Sequence, residues 1–362
     1  MGSSYKDFRV VGMAIDPIHV GTGGARLGRV DLTIVRDPVT HVPRIPGSSL
    51  AGVYRSYVAM CLEEERQRQA NTSGAGRKNP YFPDCAGLGQ PDSQGEGGHC
   101  GQPDCPVCVT FGFARGSGGG FAGLAAFSDA HVFLFPVPTR EGPLWVTSPE
   151  QLRIAGIDAD LSGVTDSVLY CAQGNTPPIN LGWLLLKRKE LSGYDKIKDA
   201  ISKKNSGIPN YITDRFGILP DKLFSHVVNS NLEVRTSVSI KPETGAAEEG
   251  ALFSYEALPR STILIWTITC RNPMHFKISG KNIDAQINGA NIDSPDQIQE
   301  VTKKAHPFLE HLGIGGMGTR GMGRLRVLFD GSPVATATQG TNAGAGQESS
   351  SSTATSGTGG AA

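Results

Sequence analysis

The order of elements that the sequence predicts is typical of an α+β domain. A β-branched segment runs into a glycine loop near the N-terminus, an amphipathic helix follows, and a second helix and a closing strand lie near the C-terminus. Predicted strands lie at 8–20, 30–35, 132–137, 261–270 and 324–329, and predicted helices begin at 48 and 295. This order suits a ferredoxin-like core, and the long polar segments between its elements predict large insertions.

The first helix is predicted from its apolar spacing. Leu50, Val53, Tyr54 and Tyr57 begin an i, i+3, i+4, i+7 pattern that continues to residue 62. Ser48 or Ser49 is available as the N-cap residue. The pattern turns polar from residue 63 and runs into a glycine-rich loop.

The C-terminal elements carry recognisable boundary signals. Ser294, Pro295 and Gln297 stand in the positions of an N-cap, a first-turn proline and a capping-box residue. We expect one helix from there to about Leu312, followed by a glycine cluster and the last strand.

Composition bounds the domain organisation and the location of the protein. The segment 332–362 consists almost entirely of Gly, Ala, Ser, Thr, Gln and Asn, so we expect a disordered tail behind one folded domain over 1–331. No apolar segment is long enough to span a membrane, and the N-terminus does not resemble a signal peptide. We therefore expect a cytoplasmic protein with no membrane partner.

The charge balance announces no partner. The chain has 34 Lys and Arg against 34 Asp and Glu, and 47 of its 362 residues are glycine. That glycine content is nearly twice the usual share of about 7%. Either part of the chain is disordered, or its backbone approaches a ligand closely. Basic segments at 187–189 and 196–204 are interpreted as a solvated surface, slightly in preference to an RNA contact.

Four of the seven cysteines lie within 24 residues and have metal-ligand spacing. Cys100, Cys105 and Cys108 form a Cys-x4-Cys-x2-Cys run, in which soft thiolates can converge on a structural Zn²⁺. The fourth ligand is Cys85 or His99, and the spacing does not choose between them. Chance clustering or redox use remains the alternative to zinc.

Two glycine loops carry arginines. The loop 313–324 contains a GxGxxG pattern, but a helix precedes it and a strand follows, which is the reverse of the dinucleotide-binding context. Its exposed backbone, with Arg320 and Arg324, instead suits a phosphodiester chain. The loop 19–31 also holds two arginines and ends at Asp31, which on its own suggests an ordinary strand-edge or capping acid.

Three segments together resemble the RAMP superfamily, whose members build CRISPR effector complexes and process their guide RNAs. Residues 44–55 (RIPGSSLAGVYR) are similar to its IPGSSLKGxxR signature, with Ala51 in place of the usual Lys. The loop 313–324 resembles the superfamily's glycine-rich loop. Residues 30–37 and the cysteine cluster ending at 109–112 resemble the backbone (Cas-seven group) subunits of type III complexes, and 243–259 is closest to the Cmr (type III-B) version.

The resemblance implies a function and a set of site residues. Such subunits have a ferredoxin-like (RRM-like) core and stack along a guide RNA (crRNA), while a thumb hairpin, expected here at about 205–250, flips bases of a complementary target RNA. The matching catalytic residue is Asp31, acting with Mg²⁺ or Mn²⁺ at a regular spacing of about six nucleotides. The implied RNA contacts are His19, Arg26, Ser48, Ser49, Arg55, Arg235, Lys241, Gly315, Gly316, Arg320 and Arg324, and the implied zinc loop lies at about 71–112.

Two alternatives stay open. The chain is a structural RAMP subunit that holds the guide without cutting, or a stand-alone nuclease that processes guide RNA. The leading hypothesis is a type III CRISPR backbone subunit with endoribonuclease activity. Its partners would be crRNA, target RNA, other RAMP subunits and the large signature subunit of the complex.

Overall fold

The computed structural model describes residues 3–23, 30–73, 80–87, 98–115, 119–174, 176–204, 207–248 and 251–333. The strands are β1 Tyr5–Ala14, β2 Arg44–Ile45, β3 Phe113–Arg115, β4 Gly119–Phe121, β5 Ala125–Phe127, β6 Ala130–Val137, β7 Leu144–Thr147, β8 Leu169–Cys171, β9 Ile179–Leu181, β10 Leu184–Leu186, β11 Arg188–Glu190, β12 Phe216–Ile218, β13 Glu233–Ser237, β14 Phe253–Ala257, β15 Ile263–Arg271, β16 Lys277–Ile278, β17 Lys281–Asn282, β18 Gln286–Ile287, β19 Ala290–Asn291 and β20 Leu325–Pro333. The helices are α1 Gly47–Ser73, α2 Pro106–Phe111, α3 Pro149–Ile154, α4 Tyr194–Lys204, α5 Asn210–Thr213, α6 Asp221–Ser230, α7 Pro295–Lys303 and α8 His306–His311, with 3-10 turns at Asp84–Ala86, Pro273–His275 and Gly318–Arg320.

The predicted ferredoxin-like core is confirmed. Strands β20, β1, β15 and β6 lie side by side in that order, and every neighbouring pair is antiparallel. Helix α1 lies between β1 and β6 in the chain, and α7 with α8 connects β15 to β20. This is the interleaved arrangement of two split β-α-β units.

The central sheet is buried on both faces. Phe8, Val10 and Trp266 pack in the core that also holds the apolar side chains of α1 and α7. Val11 and Ile265 point to the other side, into a second core. Burial on both faces explains why β15 has a nearly continuous apolar sequence and why the apolar residues of β1 are concentrated in its second half.

The second core belongs to a lobe that sequence patterns did not place. Beyond β6 the sheet continues through β7, β12, β8 and β11, and α3 to α5 supply apolar side chains to its core. The basic segments of this lobe are locally neutralised, since Arg188, Lys189 and Lys198 form ion pairs with Glu141, Asp166 and Asp214. This agrees with the solvated-surface interpretation.

Two predicted helix boundaries differ from the structure. Helix α1 begins at Gly47, and its first N–H donates to Asp129 Oδ1 at 2.7 Å, so a carboxylate distant in sequence occupies the helix start that Ser48 or Ser49 was expected to cap. A side chain at position 47 would meet the Phe127 carbonyl oxygen at 2.4 Å, so the site requires glycine.

The C-terminal helix is broken in two. Helix α7 ends at Lys303 and α8 begins at His306 with Pro307 in its first turn, where a residue without an N–H is tolerated. Ser294 precedes α7 in extended conformation but makes no side-chain capping bond. The prediction of one continuous helix was therefore wrong.

Strands β13 and β14 form a two-stranded hairpin that lies between α6 and β15 in the chain. Glu233 pairs with Ala257 at its base and Ser237 with Phe253 further out. The hairpin begins at Glu233, whereas 210–230 of the expected thumb range form α5 and β12 of the lobe and α6, whose buried side chains pack in the same core as those of α1 and α7. Among the described residues, no helix is long and apolar enough to cross a membrane.

Candidate functional sites

Asp31 lies exposed at the start of a short extended segment that runs beside β14. Its Oδ2 accepts hydrogen bonds from the Ser254 N–H at 2.7 Å and from the Ser254 hydroxyl at 2.9 Å. These two bonds hold the pKa of the Asp31 carboxyl below its usual range. At neutral pH Asp31 is therefore a carboxylate, suited to accept a proton or bind a cation.

The segment 31–36 is fastened to β14 at several points. The Leu32 N–H donates to the Ser254 carbonyl at 3.1 Å, and the Glu256 N–H donates to the Leu32 carbonyl at 3.0 Å. Further along, Arg36 forms an ion pair with Glu256 at 2.7 Å and donates to Asn229 Oδ1 at 2.8 Å. Asp31 is thus the first residue of an extended segment that is held in place by β14 and Asn229.

His19 is buried and makes hydrogen bonds on two sides. Only 5% of the residue is exposed, and its Nδ1 lies 2.6 Å from the Glu256 carbonyl oxygen. Because a carbonyl oxygen only accepts, Nδ1 carries the proton. Its own carbonyl accepts from the Gly316 N–H at 2.8 Å. His19 therefore ties the glycine loop to β14, and its predicted role as an RNA contact remains untested.

The glycine loop 313–323 lies between α8 and β20 in the chain, as predicted. In space it runs alongside residues 15–19, which continue the chain after β1. Gly323 N–H donates to the Pro17 carbonyl at 2.9 Å. Gly315 has a φ of +86°, and a side chain there would meet the His19 carbonyl oxygen at 2.3 Å. Gly315 and Gly316 are themselves exposed. The loop thus presents bare backbone on one side because its other side leaves no space.

The two arginines of this loop differ in environment. Arg320 is exposed, and its guanidinium lies 5.7 Å from the ring centre of Phe253 on the hairpin. Arg324 donates to both carboxylate oxygens of Asp16, which raises the pKa of Arg324 and lowers the pKa of Asp16. Arg324 is therefore held in place by an acid.

The remaining predicted RNA contacts are spread over the hairpin, α1 and the N-terminal loop. Arg235 forms a 2.6 Å ion pair with Glu233 on β13, and Lys241 is exposed beyond it. Arg26 lies outside the described residues. Ser48 is exposed and Ser49 half-buried at the start of α1. The Asp129 carboxylate at this helix start competes with any phosphate there.

Arg55 lies against the cysteine cluster. Its Nε donates to the Cys85 carbonyl at 2.7 Å, and burial lowers the pKa of its guanidinium. One of its terminal nitrogens, Nη2, is buried without a hydrogen-bond partner in the structure. The IPGSS signature thus places its arginine next to four thiols.

The four cysteines predicted as metal ligands converge. The Sγ atoms of Cys85, Cys100, Cys105 and Cys108 all lie within 4.8 Å of one another. The Cys85–Cys108 and Cys100–Cys108 pairs are 3.7 Å apart, and the Cys85–Cys105 pair is 3.9 Å apart. A tetrahedron of thiolates about 2.3 Å from a zinc ion has edges of about 3.8 Å. The donor set and its spacing fit Zn²⁺.

The local backbone is built for this convergence. The N-terminus of α2 directs the Cys108 N–H at Cys105 Sγ, at 3.5 Å, as expected where thiolate charge must be stabilised. Of the two candidates for the fourth ligand, Cys85 is the one that lies in the cluster. His99 lies outside the cluster, with both ring nitrogens buried and without hydrogen-bond partners, and burial lowers its pKa.

Sequence reasoning missed Ser254, Arg36 and Glu256, which fix Asp31 and its strand. Ser254 and Glu256 lie within the 243–259 segment that carried the resemblance. Their alternation with aromatic Phe253 and Tyr255 is the available signal, because it predicts a strand with one polar face.

Comparison with known proteins agrees with this fold. The model of the RAMP superfamily matches residues 13–326. The CRISPR system Cmr endoribonuclease Cmr4 of Pyrococcus furiosus is 25% identical over 332 residues, covering 87% of this chain and 92% of that protein. A cryo-EM structure of the type III-B Cmr-beta complex bound to cognate target RNA contains a chain that superposes with a TM-score of 0.56 at 17% identity, covering 90% of this chain and 99% of that one. Its apo-state counterpart gives a TM-score of 0.53 at 17% identity, covering 89% and 96%. The chain belongs to the RAMP superfamily.

Proposed function

We propose that this protein is a guide-RNA-binding backbone subunit of a type III CRISPR effector complex and that it cuts complementary target RNA at Asp31. The observation that carries the proposal is the exposed Asp31 carboxylate in a RAMP fold, which two hydrogen bonds from Ser254 hold against β14. The neighbouring residue on β14, Phe253, has its ring centre 5.7 Å from the guanidinium of Arg320 on the glycine loop. The Cmr4 relative is named an endoribonuclease, which supports the same activity here.

The RNA path proposed here follows the edge of the sheet where β1 ends and β20 begins. Gly315 and Gly316 expose backbone at this edge, and Arg320 and Arg324 supply positive charge. Phosphate contacts of this kind position a nucleic acid without reading its sequence. That property suits a subunit that must accept any guide.

Cleavage needs little from the protein beyond geometry. The 2′-hydroxyl of a target nucleotide loses its proton and attacks the adjacent phosphorus, and the P–O5′ bond breaks. The 5′-oxygen takes up a proton from water, so the products are a cyclic phosphate and a free 5′-hydroxyl. The ionised Asp31 carboxylate can accept the proton of the 2′-hydroxyl or bind a divalent cation. Exposed carboxylate oxygens are ligands that Mg²⁺ or Mn²⁺ prefers, and such an ion would stabilise charge on the phosphate.

The cysteine cluster has a structural role in this proposal. A Zn²⁺ ion on Cys85, Cys100, Cys105 and Cys108 would fix α2 and the 84–86 turn against α1, whose N-terminal residues carry the IPGSS signature. The ion would take no part in cleavage. Arg55 would offset the negative charge of the four thiolates, because its guanidinium lies against Cys85.

The test is target cleavage by a reconstituted complex carrying Asp31→Ala. We expect bound guide and target but no cuts at the regular positions, whereas the control Asp296→Ala, an exposed acid paired with Lys6, cuts normally. If the Asp31→Ala complex cuts at the wild-type rate and positions, the structural alternative, in which the subunit holds the guide without cutting, is favoured. Cleavage of repeat RNA by the isolated wild-type chain would instead favour the guide-processing alternative.

A further inference from the structure

The Asp31 carboxylate is held by a residue of the hairpin. Among the described residues, Ser254 donates two hydrogen bonds to the Asp31 side chain, and both end on Oδ2. We propose that Ser254 is a positioning residue for Asp31 and that β14 transmits the position of the hairpin to the cleavage site. This inference rests on the proposed function, in which Asp31 cuts RNA.

Alternate residues of β14 make the connection. Ser254 and Glu256 face the segment 31–36, where Ser254 holds Asp31 and Glu256 holds Arg36. Between them, Tyr255 points the other way and lies edge-on to His19, with ring centres 6.0 Å apart. One strand therefore touches both the Asp31 segment and the residue that anchors the glycine loop.

The hairpin is anchored at its base and exposed further out. Tyr255 and Ala257 are buried, with 3% and 0% exposure. Val238, Ile240 and Leu252 are large apolar side chains that are 42%, 51% and 67% exposed. A nucleic acid that displaces the exposed end pulls on a strand whose next residues hold Asp31. The two main-chain hydrogen bonds of Leu32, with Ser254 and Glu256, couple β14 to the segment that begins at Asp31. A shift of β14 along its axis would therefore move Asp31 as well.

The two bonds have a chemical as well as a mechanical consequence. With Ser254 in place, Asp31 keeps its negative charge at lower pH, since both bonds favour the ionised carboxylate. Both bonds end on Oδ2, so neither occupies Oδ1, the oxygen we propose for a substrate proton or a cation. Loss of the hydroxyl bond therefore changes both the orientation and the titration of Asp31.

The variants Ser254→Ala and Ser254→Thr separate positioning from folding. Ala removes the hydroxyl and keeps the main-chain N–H bond, whereas Thr keeps both and suits a strand. Ser237→Ala is the matched control, because the Ser237 hydroxyl contacts Tyr255 Oη at 3.3 Å on the same hairpin and makes no contact with Asp31. Single-turnover target cleavage is measured in reconstituted complexes across about pH 4 to 8.

We expect Ser254→Ala to cut about tenfold more slowly at unchanged target affinity. In the plot of its cleavage rate against pH, the fall in rate on the acid side should lie at higher pH than in wild type, because the Asp31 pKa rises toward its ordinary value. Ser254→Thr should restore both rate and profile, and Ser237→Ala should match wild type. A wild-type rate and profile in Ser254→Ala overturns the inference, provided that Asp31→Ala abolishes cleavage. Cleavage that survives Asp31→Ala removes the proposed function instead.

Discussion

Loss of one cysteine ligand tests the zinc centre most directly. The substitution is Cys105→Ser, since Cys105 is fully buried in the cluster and is also the N-cap residue of α2. A serine hydroxyl is a hard, neutral donor that replaces a soft thiolate at the same position, so we expect it to bind zinc poorly.

The size of the effect follows from the geometry. Sulfur–sulfur distances of 3.7 to 3.9 Å place a central ion about 2.3 Å from each sulfur, the ordinary Zn–S distance. Such sites contribute about 10 kcal/mol or more in small zinc modules. A quarter of that, roughly 3 kcal/mol, is a large part of a typical domain stability of about 5–15 kcal/mol. For about 330 folded residues the entropy of unfolding is about 0.7 kcal/mol/K, so we expect Tm to fall by about 4 °C.

The assay combines metal analysis with thermal unfolding. Wild-type protein should contain one zinc per chain, with a sulfur-only first shell by X-ray absorption, and a strong chelator should lower its Tm. Cys171→Ser, outside the cluster, and His99→Ala should both retain zinc. The reasoning is refuted if wild-type protein carries no zinc and its four cluster thiols titrate freely, or if Cys105→Ser unfolds at the wild-type temperature.

Two further predictions concern the close approach of Gly315 to His19 and the burial of His306. Gly315→Ala should lower Tm and weaken guide-RNA binding, by more than about 1 kcal/mol in stability, because its Cβ would meet the His19 carbonyl oxygen at 2.3 Å. Gly321→Ala has a similar positive φ of +74° and no neighbour within 4 Å, so equal losses in the two variants would contradict the clash argument. Burial lowers the pKa of His306 to about 4, so His306 is neutral beside Asp330 at pH 7. The unfolded state binds the proton first, so the free energy of unfolding should fall by about 3 kcal/mol as pH drops from about 6.5 to 4. Denaturant unfolding of His306→Gln should lack that part of the pH dependence.

Local patterns predicted the elements of the core, and long-range contacts account for what they missed. The apolar spacing from Leu50 to Tyr57 and the β-branched sequence of 261–270 are sufficient to place α1 and β15, because each is read within one element. Asp129 caps α1 from 82 residues away, and Ser254 reaches Asp31 from 223 residues away. No local pattern contains such pairs.

The cysteine site shows the same division. The spacing of Cys100, Cys105 and Cys108 was sufficient to predict that these three side chains converge, because a short loop and one turn of helix bring them together. The choice of Cys85 over His99 depends on how the 84–86 turn packs on α1, which is a tertiary contact. Arg55 was assigned to RNA from its place in the signature. In the structure its Nε donates to the Cys85 carbonyl, a contact that the signature alone does not reveal, and the RNA contact of Arg55 stays a prediction.

The neutral total charge constrains how this protein can hold RNA. With 34 basic and 34 acidic residues, the chain as a whole provides little long-range attraction for a polyanion. Arg324 and Arg235 each stand beside an acid, which orients the guanidinium and reduces its net charge. In the proposed function, the described residues therefore offer RNA mainly short-range contacts, from the exposed backbone at Gly315 and Gly316 and from Arg320, for which no ion pair is found among them. Because such contacts depend on where the phosphates lie, we expect a subunit of this kind to prefer an ordered guide over free RNA.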